Sequence, residues 1–128
     1  MLVYDPKLLI LDEPTSNLPP REISNLTEIL EDERKRGKAI LVTSHDIEFV
    51  AEVADRVYVL YNGRIIANGK CREILSSEKL LKAADLKPPY SVEISTKLDL
   101  DLSKPPITVD ELIEILKYLR NPVKVNAT

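Results

Sequence analysis

Two adjacent carboxylates, Asp12 and Glu13, follow the apolar run of residues 8–11 and precede Pro14. An unbroken apolar run is typical of a strand buried on both faces of a parallel sheet, so the carboxylates fall at its carboxyl end. Open α/β sheets place their ligand crevice at that edge. One carboxylate can hold Mg²⁺, directly or through water, while its neighbour, facing the other way, accepts a proton from an attacking water. The pattern therefore indicates metal-assisted phosphoryl transfer.

A second apolar run, residues 39–42, ends in Thr43-Ser44-His45-Asp46, and His45 is the only histidine of the chain. Taken alone, a single histidine is more simply explained as a polar residue in a strand-to-helix turn. An imidazole at a strand end can hydrogen-bond a phosphate oxygen and orient a water relative to Glu13, but the residues alone do not assign His45 that role. We predict that Asp12, Glu13 and His45 converge from neighbouring parallel strands onto one rim.

The elements that would position these residues are readable from the spacing of apolar residues and from turn chemistry. Residues 21–36 have apolar side chains at helical spacing, after Pro19-Pro20 and before Gly37, which predicts a helix. Asp46 is predicted to cap a second helix. Asn62-Gly63 predicts a two-residue hairpin turn between strands at residues 57–61 and 64–67. The second helix is predicted to bury four residues: Ile47, Val50, Ala51 and Ala54.

The chain beyond Lys70 has a different pattern. Two short helices are predicted on either side of Ser76-Ser77, and Pro88-Pro89 then interrupts the chain. Residues 98–102 alternate between leucine and aspartate, which leaves an edge strand and an extended linker both open. Thr108 and Glu111 form a capping-box pattern at the start of a last helix, which Asn121-Pro122 stops.

The acidic pair and the histidine segment together resemble the C-terminal half of an ABC-transporter ATP-binding subunit, most of all the energy-coupling-factor and cobalt-importer type. The resemblance is strong over residues 2–73 and weaker over residues 74–119. It implies an α/β fold, namely a partial P-loop NTPase (RecA-like) parallel sheet with flanking helices and a small helical C-terminal extension. Residues 1–70 would be the C-terminal half of the nucleotide-binding domain, and residues 71–128 the extension, used in subunit pairing.

The resemblance also implies roles for single residues. Asp12 corresponds to the Walker B aspartate that holds Mg²⁺ through water, Glu13 to the general base, and His45 to the switch histidine that contacts the γ-phosphate. Pro19 stands where the D-loop of the family ends in aspartate. This proline would weaken signalling between paired sites, but an ordinary Pro-Pro helix start explains it equally well.

The binding half of the nucleotide site has no counterpart in the sequence. A phosphate loop, G-x-x-x-x-G-K-[ST], is absent, as are the glutamine loop and the signature of the family. The nearest imitation, residues 63–71, has five residues between its glycines and ends in Cys71 instead of a hydroxyl residue. We therefore expect ATP and Mg²⁺ to bind only if an N-terminal half complements the chain. Three candidates would fill the place of the missing phosphate-loop strand: that N-terminal half, strand exchange between copies of the chain, or residues 98–102.

Two functions follow. In the first, the chain is the C-terminal fragment of an ABC-transporter ATP-binding subunit, which couples ATP hydrolysis to import of a metal ion or vitamin and is inactive alone. In the second, it is a non-catalytic remnant that acts as an oligomerisation or partner-binding module. Whether the chain is itself an enzyme stays open. An ABC-like ATPase of DNA repair is disfavoured, because no coiled coil flanks the motifs.

Composition restricts the partners. A net charge of −3, with 30% charged residues, provides no broad basic field, so no nucleic-acid partner is expected. The single cysteine, Cys71, fits a reducing compartment. No apolar run approaches the roughly 18 residues of a membrane helix. We expect a cytoplasmic protein that forms a homo- or hetero-dimer and reaches the membrane through a membrane-embedded transporter subunit.

Overall fold

The computed structural model describes residues 6–121, and the chain divides into two compact units, Met1–Val53 and Ala54–Thr128. Residues 1–5 lie outside the described residues, as does Pro122, which was predicted to stop the last helix. The domain boundary predicted after residue 70 falls inside the second unit and stays a prediction. Within residues 6–121, no helix is both long enough and apolar enough to cross a membrane.

The first unit alternates strands with helices: β1 (Leu8–Asp12), α1 (Pro20–Lys35), β2 (Ala39–Thr43) and α2 (Ile47–Val53). The two strands pair in parallel, as predicted, with Leu8 opposite Ala39 and Asp12 opposite Thr43. Helix α1 has Pro19 as its N-cap and Pro20 at its first position, and Gly37 follows its end with a φ of 85°. Both ends of this helix are therefore set by local chemistry.

Burial of the first sheet differs from the prediction. Leu8, Ile10 and Leu41 are exposed, although the unbroken apolar runs predicted burial on both faces. Side chains of alternate strand residues share a face, so these three mark one exposed face, while their neighbours on the other face are half-buried. A parallel sheet needs a covering layer on each side, and within the described residues this one is only partly covered.

Helix α2 is capped as predicted, because the Asp46 carboxylate accepts a hydrogen bond from the Phe49 amide at 3.1 Å. Its predicted buried face was only partly right. Ala51 is buried, whereas Ile47, Val50 and Ala54 are only half-buried, and Phe49 is the large side chain that α2 buries. The aromatic ring adds far more apolar area than an alanine does, so it determines which face of the helix turns inward.

Over residues 54–121, the second unit joins an antiparallel hairpin to four helices. The hairpin consists of β3 (Arg56–Tyr61) and β4 (Arg64–Lys70), which extend beyond the predicted strands. Asn62 and Gly63 have φ values of 50° and 73°, which confirms the predicted tight turn. The helices are α3 (Cys71–Leu75), α4 (Glu78–Ala83), α5 (Tyr90–Lys97) and α6 (Val109–Arg120). Its core includes Val59, Leu75, Leu81, Val92, Ile107 and Leu112.

Residues 98–102 do not form a strand, which corrects the edge-strand alternative. Leu98 instead ends α5 as its C-cap, and Asp99 turns the chain with a φ of 51°. The Leu100 amide then returns to the Ser95 carbonyl at 3.0 Å. These residues therefore do not fill the gap in the parallel sheet. Five alternating residues carry too little periodicity to distinguish a strand from a helix end with its turn.

Helix α5 was not predicted, because its buried face contains small polar residues. Ser91 and Ser95 are buried beside Val92, and the Ser91 hydroxyl donates to the Pro106 carbonyl at 3.0 Å. Buried hydroxyls with partners hide the apolar periodicity on which the sequence analysis depends. The capping of α6 is confirmed, since the Thr108 hydroxyl accepts from the Glu111 amide at 3.2 Å.

The thiol of Cys71, at the start of α3, is buried, and this burial raises its pKa from 9.0 to about 11. The folded chain thus keeps the proton over a range in which the unfolded chain loses it. We expect the free energy of unfolding to fall as the pH rises from about 9 to about 11. Denaturant titrations of the parent and of Cys71→Ala should show this fall only in the parent, and equal pH dependence in both would contradict it.

Candidate functional site

The candidate site lies where β1 and β2 end. Asp12 and Thr43 are paired in register at the last position of each strand. The pairing continues one residue further, because the Glu13 amide donates to the Thr43 carbonyl at 2.8 Å. This pairing fixes the distance between the ends of β1 and β2. The segment that carries the carboxylates therefore lies beside the segment that carries the histidine.

Glu13 leaves the strand in an unusual backbone conformation. Its φ is 47°, in the left-handed region, where an L-residue costs roughly 1–2 kcal/mol relative to the ordinary helical region. Two backbone bonds hold it there: the bond to Thr43, and a bond from the Ser16 amide to the Glu13 carbonyl at 3.2 Å. Strained residues of this kind cluster at functional sites.

The Glu13 carboxylate meets His45 through both of its oxygens. Oε1 lies 2.5 Å from His45 Nδ1, and Oε2 accepts a hydrogen bond from the His45 amide at 3.3 Å. The predicted convergence of the acidic pair and the histidine is therefore confirmed. Because Nδ1 faces the carboxylate, Nε2 is the ring nitrogen that remains for another group.

This contact contributes little to stability. The side chains of His45 and Glu13 are 87% and 34% exposed, and a solvent-accessible pair of this kind, ionic only when the imidazole is protonated, is worth about 0–1 kcal/mol. This small gain does not exceed the cost of the left-handed Glu13 backbone. The stability of the fold therefore does not explain why the Glu13 carboxylate is directed to an exposed imidazole. The arrangement has the features of a site that accepts a ligand from solvent.

Thr43 is the residue that the sequence analysis missed. Its hydroxyl donates to Asp12 Oδ1, and it accepts a second, longer bond from the Glu13 amide at 3.3 Å. The sequence analysis named Thr43 only as the first residue of the polar segment after residues 39–42 and gave it no role. The signal that could have found it is the register, because a hydroxyl residue opposite Asp12 lies on the same face of a parallel pair.

The oxygen ligands at the strand rim fit a Mg²⁺ ion that keeps several of its waters. Among residues 6–121, no group of three or more histidine, cysteine or acidic side chains gathers as a metal cage. Mg²⁺ usually keeps several waters and takes one or two protein oxygens together with substrate phosphates. Asp12 is exposed and offers a carboxylate of this kind at the sheet rim. The residues present therefore fit a magnesium–phosphate ligand better than a structural metal.

The loop between β1 and α1 is well ordered by its own bonds. Thr15 is buried, the Leu18 amide donates to the Thr15 carbonyl at 3.1 Å, and Asn17 has a φ of 62°. Pro19 then caps α1 with extended backbone angles. The interpretation of Pro19 as a helix start is confirmed, and its effect on signalling between paired sites stays a prediction.

Curated relatives of the chain are ATP-binding proteins of energy-coupling factor transporters. EcfA2 from Methanospirillum hungatei is 35% identical over 122 residues, which cover 94% of this chain and 31% of the relative. EcfA from Methanosphaera stadtmanae is 36% identical over 99 residues, which cover 77% of this chain and 36% of the relative. The chain thus spans about a third of the length of these two relatives. No protein-family model matches it.

Solved structures agree on the fold. CbiO1 from Clostridium perfringens, described as part of the ABC transporter complex cbiONQ, superposes with a TM-score of 0.53 at 31% identity, over 75% of this chain and 38% of that one. An ATP-binding cassette of an ABC transporter, MJ1267, superposes with a TM-score of 0.54 at 27% identity, over 61% of this chain and 32% of that one. The chain is therefore homologous to the ATP-binding proteins of energy-coupling factor transporters, and its α/β fold is part of an ABC-type P-loop ATPase domain.

Proposed function

We propose that the chain supplies the hydrolytic residues of an ATP site in an energy-coupling-factor-type ABC transporter. The observation that carries this proposal is the 2.5 Å contact between the Glu13 carboxylate and the His45 imidazole, next to Asp12 at a shared strand rim. Homology to transporter ATP-binding proteins supports it independently.

Each of the three residues then has a chemical role. Glu13 accepts a proton from water as the water oxygen bonds to the γ-phosphorus and the bond to the β–γ bridging oxygen breaks, which yields ADP and phosphate. The imidazolium form of His45 has an N–H on both ring nitrogens, so in that form it can donate to Glu13 through Nδ1 and to a γ-phosphate oxygen through Nε2. Asp12 would hold Mg²⁺ through water, and the bound ion would neutralise charge on the phosphates.

The binding half of the site would come from an N-terminal half that carries the phosphate loop and the signature, in the same polypeptide or in another. The exposed face of the β1–β2 sheet, with Leu8, Ile10 and Leu41, supports this, because parallel sheets are normally covered on both sides. Exposed Tyr58 and Leu60 on β3 support it for the hairpin. In this proposal, residues 1–70 complete the nucleotide-binding domain and residues 71–128 form the extension.

The partners follow from the same homology. We propose that the complemented subunit pairs as a homo- or hetero-dimer and docks on a membrane-embedded transporter subunit from the cytoplasmic side. The imported cargo would be a metal ion or a vitamin. Relatives named for energy-coupling factor transport, and the described membership of CbiO1 in a transporter complex, support this assignment.

A non-catalytic role is the second candidate, and a specific surface favours it. Helices α5 and α6 carry exposed apolar side chains: Tyr90, Ile94, Val109, Ile113, Leu116 and Leu119. The two helices contact each other, and exposed apolar side chains on adjacent helices are common at surfaces that pair with another protein. Light scattering and nucleotide titration separate the two functions. A stable oligomer of the chain that does not bind ATP, with or without an N-terminal half, would favour the non-catalytic role.

Co-expression tests the first function. The chain would be expressed with the part of the Methanospirillum hungatei relative that precedes its match, and Mg²⁺-dependent phosphate release would be measured on the purified complex. We expect turnover from the complex, none from either part alone, and none after Mg²⁺ is chelated. A complex that co-purifies and binds ATP but releases no phosphate would contradict the proposal.

A further inference from the structure

We propose that Thr43 is a positioning residue that fixes the Asp12 carboxylate and the Glu13 backbone relative to each other, an inference that rests on the proposed hydrolytic function. The Thr43 hydroxyl hydrogen-bonds both acidic residues, Asp12 and Glu13, which have different roles in the proposed reaction. The side chain itself belongs to the opposite strand, β2.

The direction of each hydrogen bond is fixed by chemistry. An amide N–H can only donate, so the Thr43 oxygen accepts from Glu13 at 3.3 Å. The Asp12 carboxylate accepts, so the hydroxyl proton of Thr43 must point to Oδ1. The only donor of Thr43's side chain is therefore used on Asp12, and the bond between them is charge-assisted when the carboxylate is ionised.

Thr43 has no substitute in this position. Among residues 6–121, it is the only residue that hydrogen-bonds the Asp12 side chain. Asp12 lies at the strand end on the exposed face of the sheet, where a carboxylate without this bond would exchange rotamers in solvent. A β-branched side chain such as Thr43 is itself restricted at χ1, so the group that holds Asp12 is rigid.

The Glu13 backbone is held by the same residue. Its amide is shared between the carbonyl of Thr43 at 2.8 Å and the hydroxyl of Thr43 at 3.3 Å. These two bonds help to maintain the left-handed conformation of Glu13, from which its carboxylate reaches His45. Thr43 thus holds Asp12, the proposed magnesium residue, and Glu13, the proposed base, in position. It makes no contact of its own with the reacting atoms.

Loss of the hydroxyl should therefore reduce turnover rather than nucleotide affinity. Thr43→Val keeps the branched shape and removes both side-chain bonds, whereas Thr43→Ser keeps the hydroxyl. In the complemented ATPase, we expect Thr43→Val to lower kcat about tenfold with KM for ATP within about twofold, because misplaced catalytic groups cost rate through orientation. Thr43→Ser should recover most of the parent kcat.

A second measurement makes the test independent of the proposed function. In the 128-residue chain, NMR scalar couplings to the Asp12 carboxyl carbon report its χ1 angle. We expect one χ1 rotamer in the parent and in Thr43→Ser, and averaging over rotamers in Thr43→Val. Thermal unfolding of all three proteins shows whether each is folded.

The outcomes are distinguishable. If the complemented parent has no ATPase activity, the proposed function fails, and the couplings alone decide whether Thr43 positions Asp12. If Thr43→Val leaves the Asp12 couplings unchanged, the positioning role is overturned. If the couplings change but kcat does not, the bond has no bearing on the reaction, and the proposal is overturned in that form as well.

Discussion

Replacing Glu13 with glutamine will lower phosphate release by the complemented ATPase about 100-fold or more, which is the effect expected when a general base is removed. The amide has nearly the shape of the carboxylate and can still accept a hydrogen bond from the His45 backbone, but it does not take a proton from water. Nucleotide affinity should therefore change little. Steady-state phosphate release and equilibrium binding of ATP, measured on the same preparation, test both parts of this prediction.

Glu28→Gln is a matched control for this experiment. Glu28 lies on the exposed surface of α1, so the same change in charge is made in the same unit, at a side chain that has no hydrogen bond or ion pair with Asp12, Glu13, Thr43 or His45. We expect its turnover to stay within about twofold of the parent, as for surface substitutions in general. Equal turnover of Glu13→Gln and Glu28→Gln would remove Glu13 from the reaction.

Leu81→Ala should give the largest loss of stability that we predict. Leu81 lies in α4 and is 0% exposed, and truncation of a buried leucine removes apolar contacts and leaves a cavity. We expect the free energy of unfolding to fall by about 3 kcal/mol. Denaturant-induced unfolding followed by circular dichroism would measure the change.

Leu60→Ala makes the same substitution at an exposed position of the same unit. Leu60 lies on β3 and is 67% exposed, so its truncation should change the free energy of unfolding by less than about 0.5 kcal/mol. Similar losses at both positions would mean that Leu81 is not buried in the core of this unit.

The parts of the site that sequence could predict are those set by local chemistry. Asp12, Glu13 and His45 follow apolar strands, and parallel pairing brings the ends of such strands to one rim, so their convergence needed no tertiary knowledge. The caps of α1 and the Asn62-Gly63 turn were predicted for the same reason, since each depends on one or two residues with a strong conformational preference.

What the sequence could not provide depends on register or on distant packing. The role of Thr43 appears only when it is known to lie opposite Asp12. Helix α5 escaped prediction because buried serines, and not apolar side chains, form part of its inner face. The sequence analysis did not predict that Leu8 and Ile10 are exposed. An apolar run indicates that a strand favours burial, but burial also needs a covering layer, and the described residues do not cover these two side chains.

The uncovered face of the β1–β2 sheet also has a cellular consequence. Apolar strands that stay accessible after folding attract chaperones and proteases, and at high concentration they promote aggregation. The lifetime of the folded chain should therefore depend on whether Leu8, Ile10 and Leu41 are shielded, either by further residues of the same polypeptide or by a partner.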